Sequence, residues 1–115
     1  MAYDPELADR LRRVLPELVP DGVRLTEQRM FGGLGFMLDG HMAVAAASDG
    51  GLLLRIDPAR AETLTERPHA QRFTMRGRAM NGWLSIDPAG LDDDDTLRDW
   101  VAQGVGYVGG LPPKG

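Results

Sequence analysis

The chain has 115 residues, 43% of them hydrophobic and 26% charged, with a net charge of −4 and no cysteine. A chain of this size buries its own core as one domain, 1–115, without disulfides or a structural metal, and the lack of cysteine excludes a disulfide scaffold and thiol chemistry. No apolar run approaches the roughly 20 residues of a membrane span, the opening residues lack the basic and apolar regions of a secretion signal, and net negative charge gives no general attraction to phosphates; the expectations are therefore no membrane, a cytoplasmic location and no direct nucleic-acid binding.

Asp4-Pro5-Glu6 reads as a helix start, with a capping carboxylate, a proline at the first helical position and an acid at the positive end of the dipole. Leu7, Leu11, Val14, Leu15 and Leu18 follow as one apolar stripe, and Pro16 is expected to bend or end the helix. From Val23 to Ile56 the period becomes that of strands. Asp39-Gly40 is the dipeptide favoured by a tight hairpin turn, and Ser48-Asp49-Gly50-Gly51 marks a second turn. Between and after these turns, Met42, Val44 and Ala46 are expected to share one face, and Leu52, Leu54 and Ile56 another inward face. The segment reads as a three-stranded meander.

Asp57-Pro58 repeats the cap-plus-proline start, predicting a short helix over Ala59 to Glu66. Phe73 to Gly77 and Gly82 to Asp87 read as two more strands joined through 78–81, and a last helix starts within Asp92 to Asp95 with Leu97, Trp100, Val101, Gly104, Val105 and Val108 at helical spacing. The expected fold is α+β, a two-layer sandwich of a five-stranded antiparallel sheet with helices on one face, in the order α-β-β-β-α-β-β-α.

The most distinctive stretch is Arg29-Met30-Phe31-Gly32-Gly33, which runs into Gly35-Phe36-Met37. Glycine inside a strand marks a bend or a close approach, so Arg29, Met30, Phe31 and Phe36, with Gly32 and Gly33 between them, are candidates for a partner surface. Leu53 and Trp83 are opposite in phase to the inward residues of their strands. They join the candidates, as apolar groups on an outer sheet face that needs cover. A homodimer burying this face, or an unpaired sheet edge, is the expected assembly.

No residue set supplies a nucleophile, base and oxyanion donor, or three metal ligands. His41 and His69 read as structural or solvent-facing, Asp92 to Asp95 as helix-start charge, and Ser48 and Ser85 lie outside any nucleophile motif. No cofactor and no metal are expected. Arg72, Arg76 and Arg78 form a local basic cluster, and the competing reading is a small-anion-binding or enzymatic domain built on them.

The Met30-Phe31-Gly32-Gly33 segment, Leu52-Leu53-Leu54-Arg55 before the middle helix, Met75-Arg76-Gly77 before Gly82-Trp83, and the closing helix from Leu97 to Leu111 come in an order that resembles the N-terminal domain of the TfoX/Sxy family of bacterial competence regulators. The resemblance implies a small α+β domain of the secretion-chaperone-like kind, often dimeric. It also implies a regulatory or interaction role through a protein partner the sequence does not name, without catalysis.

Overall fold

The computed structural model describes residues 3–30 and 32–112. Helix α1, Pro5–Leu18, starts as its sequence predicts: Asp4 Oδ1 accepts from the Glu6 amide at 2.9 Å, and Leu7, Ala8, Leu11 and Leu15 are buried. Pro16 does not end it. The proline sits in the last turn, where it forgoes a single amide bond, to the Arg12 carbonyl, and the helix still closes with the Val19 amide bonded to the Leu15 carbonyl.

Strands β1, Leu25–Met30, β2, Gly33–Leu38, β3, His41–Ala46, and β4, Leu52–Arg55, follow. A 3₁₀ turn over Pro58–Arg60, opened by Asp57, leads into the short α2, Ala61–Leu64. Then come β5, Ala70–Met75, β6, Arg78–Ile86, and α3, Asp94–Val108, whose cap is Asp93. The sheet is antiparallel with order β1-β2-β3-β4-β6-β5.

It has six strands, not the expected five. The glycine-rich run is two strands folded back on each other, with Met30 opposite Gly33 and Gly32 at φ +77, rather than one bent strand. The β5–β6 connection also differs. It is the two-residue turn Arg76-Gly77, at φ +54 and +78, so both strands are longer than expected and 78–81 belong to β6. Positive φ at both turn positions matches the twist of a hairpin, but arginine at the first position hides the signal that Asp39-Gly40, at φ +49 and +90, displays openly.

A bulge corrects a third expectation. Phe36 pairs with Val44 but Met37 pairs with Met42, so Ala43 is an extra residue and Met42 turns away from the Val44 and Ala46 face.

One face of the sheet meets the helices. Leu34, Phe36, Leu38, Val44, Leu54, Leu84 and Ile86 form a single buried cluster with Leu11, Leu15, Leu64, Leu97, Trp100 and Val105, and no polar or charged residue is buried among the described residues. Helix α3 lies close on β3 and β4, with Gly104 at the crossing: a Cβ there would stand 2.9 Å from the Ala43 carbonyl oxygen. Ion pairs Arg10–Asp94 and Arg98–Glu17 join α1 to α3 at the surface, and His41 Nε2 donates to the Pro112 carbonyl at 2.8 Å, holding the chain that leaves α3.

Candidate functional site

Among the described residues, no helix covers the other face of the sheet. Alternation and register assign its side chains: Met30 lies opposite Gly33, Gln28 opposite Gly35, Ala45 opposite both Gly35 and Leu53, and Arg55 opposite Trp83. Small residues, Gly33, Gly35 and Ala45, therefore occupy β2 and β3, and large apolar ones, Met30, Leu53 and Trp83, the strands to either side. A Cβ on Gly35 would stand 3.3 Å from Met42 Cε and 3.7 Å from Met30 Cε, so two methionine tips close over that glycine.

The result is an apolar cleft of about 300 Å³. Met30 and Gly33 line it from one side, Phe73 and Met75 from the other, with Leu53 and Trp83 between. Strands β1 and β5 are the two opposite edges of the sheet, so a cleft lined by both means that the sheet curls toward this side. The hairpin β5–β6 extends the wall. Residue 83 is the last of β6 to pair with β4, and 78–82 continue as a two-stranded ribbon with β5, after a glycine at position 82 with φ +85. On that ribbon Met75 and Met80 are 40% and 37% exposed, the large hydrophobic side chains most open to solvent among the described residues.

The charge on this face has one sign. Arg78 pairs with Met75 across the ribbon, which puts it on the cleft side with Met80, and the Arg55 guanidinium lies 5.8 Å from the Trp83 ring and 5.9 Å from that of Tyr107. Neither arginine, nor Arg72 or Arg76, takes part in an ion pair among the described residues. From Arg67 to Ile86 the sequence has no aspartate or glutamate.

Strongly perturbed titration lies elsewhere. Arg12 on α1 donates to both Glu27 carboxylate oxygens, at 2.8 and 2.9 Å, and to Asp9; those bonds hold the Glu27 carboxyl below its ordinary range and raise the arginine.

Of the residues singled out in the sequence, Met30, Gly33, Leu53 and Trp83 are brought together in the cleft. Phe36 is not: it is 1% exposed, because β2 alternates and sends Leu34, Phe36 and Leu38 toward the helices. Arg29 is exposed but opposite Leu34, hence on the helix side of β1, and Gly32 sits in the β1–β2 turn. Phe31 lies outside the described residues. The basic cluster does not converge. Arg72 pairs with Leu84 and faces the helix side, Arg76 is at the hairpin tip, Arg78 faces the cleft side, and none lines any of the three main clefts. The sequence reading missed Met42, Ala45, Phe73, Met75 and Met80. Phe73 and Met75 were visible as an alternating pair, whereas Met42 was hidden by the bulge.

Two further clefts are already crossed by bonds within the chain. One, between the 3₁₀ turn and α3, is spanned by Arg60 Nη1 donating to Gln103 Oε1 at 2.6 Å; in the other, beside Trp100, Arg67 covers the indole at 4.2 Å and pairs with Asp99.

Comparison with known sequences gives one assignment. The TfoX N-terminal domain family matches residues 17–107, from the end of α1 to the last turn of α3, and so takes in the whole sheet and its outer face. No curated protein matches the chain.

Proposed function

The chain belongs to the TfoX N-terminal domain family, and from that premise we propose that it is a non-catalytic regulatory domain that works by binding a protein on the outer face of its sheet. The observation that carries this reading is the apolar cleft, with Met75 and Met80 at its lip and Leu53 and Trp83 at its base. Covering a Met or Leu side chain fully is worth about 1.5–3 kcal/mol, so a partner that fills the cleft gains from several at once. Methionine adapts its shape at low cost, which suits a surface that accepts a partner's side chains. Among the described residues the lining offers no group that would act on a substrate, and its one side-chain hydroxyl is Ser48. Any regulatory effect runs through this protein contact and not through direct contact with nucleic acid, in keeping with a net charge of −4.

Site-specific photo-crosslinking in the native host tests the reading. A photoreactive amino acid at position 75 or 80 is expected to give discrete protein adducts, and the same group on the exposed position 62 of α2 to give none. Absence of adducts from both ribbon positions, or a ligand from a metabolite panel that stabilises the protein and is lost in Arg76→Ala, would replace an interaction domain with a small-anion-binding one.

A further inference from the structure

Resting on the docking reading above, we infer that the occupant of the cleft is an acidic amphipathic protein segment, whose apolar side chains enter the cleft and whose carboxylates meet Arg55, Arg76 and Arg78. The inference starts from a segregation of charge. The whole molecule is negative, yet every ionisable side chain that the register puts on the outer face is an arginine: Arg55 opposite Trp83 on β4, and Arg78 opposite Met75 on the ribbon. Arg76 stands at the ribbon's tip, held there by a turn of positive φ.

Four arginines elsewhere in the fold, Arg10, Arg12, Arg67 and Arg98, pair with carboxylates among the described residues, and Arg60 is held by Gln103. Among the described residues that line the cleft there is no aspartate or glutamate. The Arg55 guanidinium also lies 5.8 and 5.9 Å from the ring centroids of Trp83 and Tyr107, contacts that restrain it, so less side-chain freedom is lost when it takes a carboxylate. A partner complementary to this surface brings apolar groups and negative charge together.

A second copy of the chain is the less complementary occupant. A two-fold contact through this face places the same patch against itself, and the patch has arginines with no acid to answer them. Like charges brought together at an interface oppose association, so the homodimer expected from the sequence is disfavoured through this surface.

Selection from a random peptide display library on the immobilised full chain tests the inference without presupposing a partner. The recovered peptides are expected to combine large apolar residues with Asp and Glu, and to compete with one another for wild-type protein but not for Leu53→Glu. One recovered peptide and its Glu→Gln counterpart are then titrated by anisotropy. The acidic form should bind about tenfold or more tightly at low salt, with the ratio falling toward one near ~1 M salt as the charges are screened. Arg55→Gln, Arg76→Gln and Arg78→Gln should each shrink that ratio; thermal melts of the Arg76 and Arg78 variants should stay as in wild type because those side chains make no ion pair among the described residues, whereas Arg55→Gln also loses its contacts with the Trp83 and Tyr107 rings and is read by the ratio alone. Recovered peptides that are apolar but no richer in acids than the input, or a ratio near one, overturn the acidic partner and leave the cleft as a docking surface. Recovery of no cleft-dependent peptide overturns it as well; concentration-dependent dimers lost in Trp83→Ala would then assign the face to a second copy, and monomers would count against docking itself. Displacement of the acidic peptide's binding mode by a single-stranded oligonucleotide that binds the same arginines more tightly would also overturn it.

Discussion

Two tryptophans show how much one position decides. Trp100 is 1% exposed on the inner face of α3, under the Arg67 guanidinium, whereas Trp83 is half-buried in the outer cleft. Trp100→Ala empties core volume and should cost about 3–5 kcal/mol, while Trp83→Ala should cost clearly less and leave the fold intact. Urea denaturation of the two variants side by side checks this, and equal losses would place Trp83 in the core. Gly104 is decided by space rather than by backbone angle. Its missing Cβ would meet the Ala43 carbonyl oxygen at 2.9 Å and Val44 Cγ1 at 3.2 Å, and neither backbone nor core valine yields easily. Gly104→Ala should therefore cost about 1–3 kcal/mol in the same assay, although alanine is the better helix former.

At the scale of elements, the ribbon and the α1–β1 contact behave differently. The ribbon beyond β4 is paired only to itself, and its turn needs positive φ at Gly77, where a Cβ would meet nothing within 4 Å. Gly77→Ala is thus strained by conformation alone, by about 1–2 kcal/mol. The expected outcome is faster amide exchange confined to 73–82, with protection of β2 and β3 unchanged. Between α1 and β1, the Glu27 carboxyl titrates below its ordinary range when folded because Arg12 donates to it, so the unfolded chain takes up the proton first as pH falls. Its stabilisation is present above the ordinary glutamate range and is lost as pH drops through the lowered folded value. Both side chains are well exposed, so the effect is small. Glu27→Gln should show a slightly lower urea midpoint at neutral pH, and the difference should vanish in acid.

For the whole molecule, curvature is the property that makes a site. Six strands in one sheet bring Met30 and Phe73 from opposite edges to one cleft, over a floor of Gly33, Ala45, Leu53 and Trp83. Gly35 lies under two lining side chains and is a point at which that floor can be raised without breaking the core, since its Cβ would press on the ends of the flexible Met42 and Met30. Gly35→Val should keep the circular dichroism and thermal midpoint close to wild type while abolishing crosslinking from position 75. Retained crosslinking would show that the floor is not where the partner sits.

Much of this was written locally. The cap Asp4, the start of the last helix within Asp92 to Asp95, the Asp39-Gly40 turn, the inward Leu52, Leu54 and Ile56 and the outward Leu53 and Trp83 each follow from side-chain chemistry or period within a few residues, so the sequence by itself determined the α+β class, the starts of α1 and α3 and the sense of β4 and β6, while the helix expected over Ala59 to Glu66 is a 3₁₀ turn capped by Asp57 and the shorter α2. What the tertiary structure decided depends on a neighbour. The extra residue at Ala43 is an extra residue only against Phe36 and Met37, and it alone sends Met42 outward. The sixth strand exists because Met30 finds Gly33, and the ribbon because Arg76 accepts a left-handed backbone that its residue type does not advertise. The cleft itself comes from the twist accumulated across six paired strands, a sum over the whole sheet that no single segment encodes.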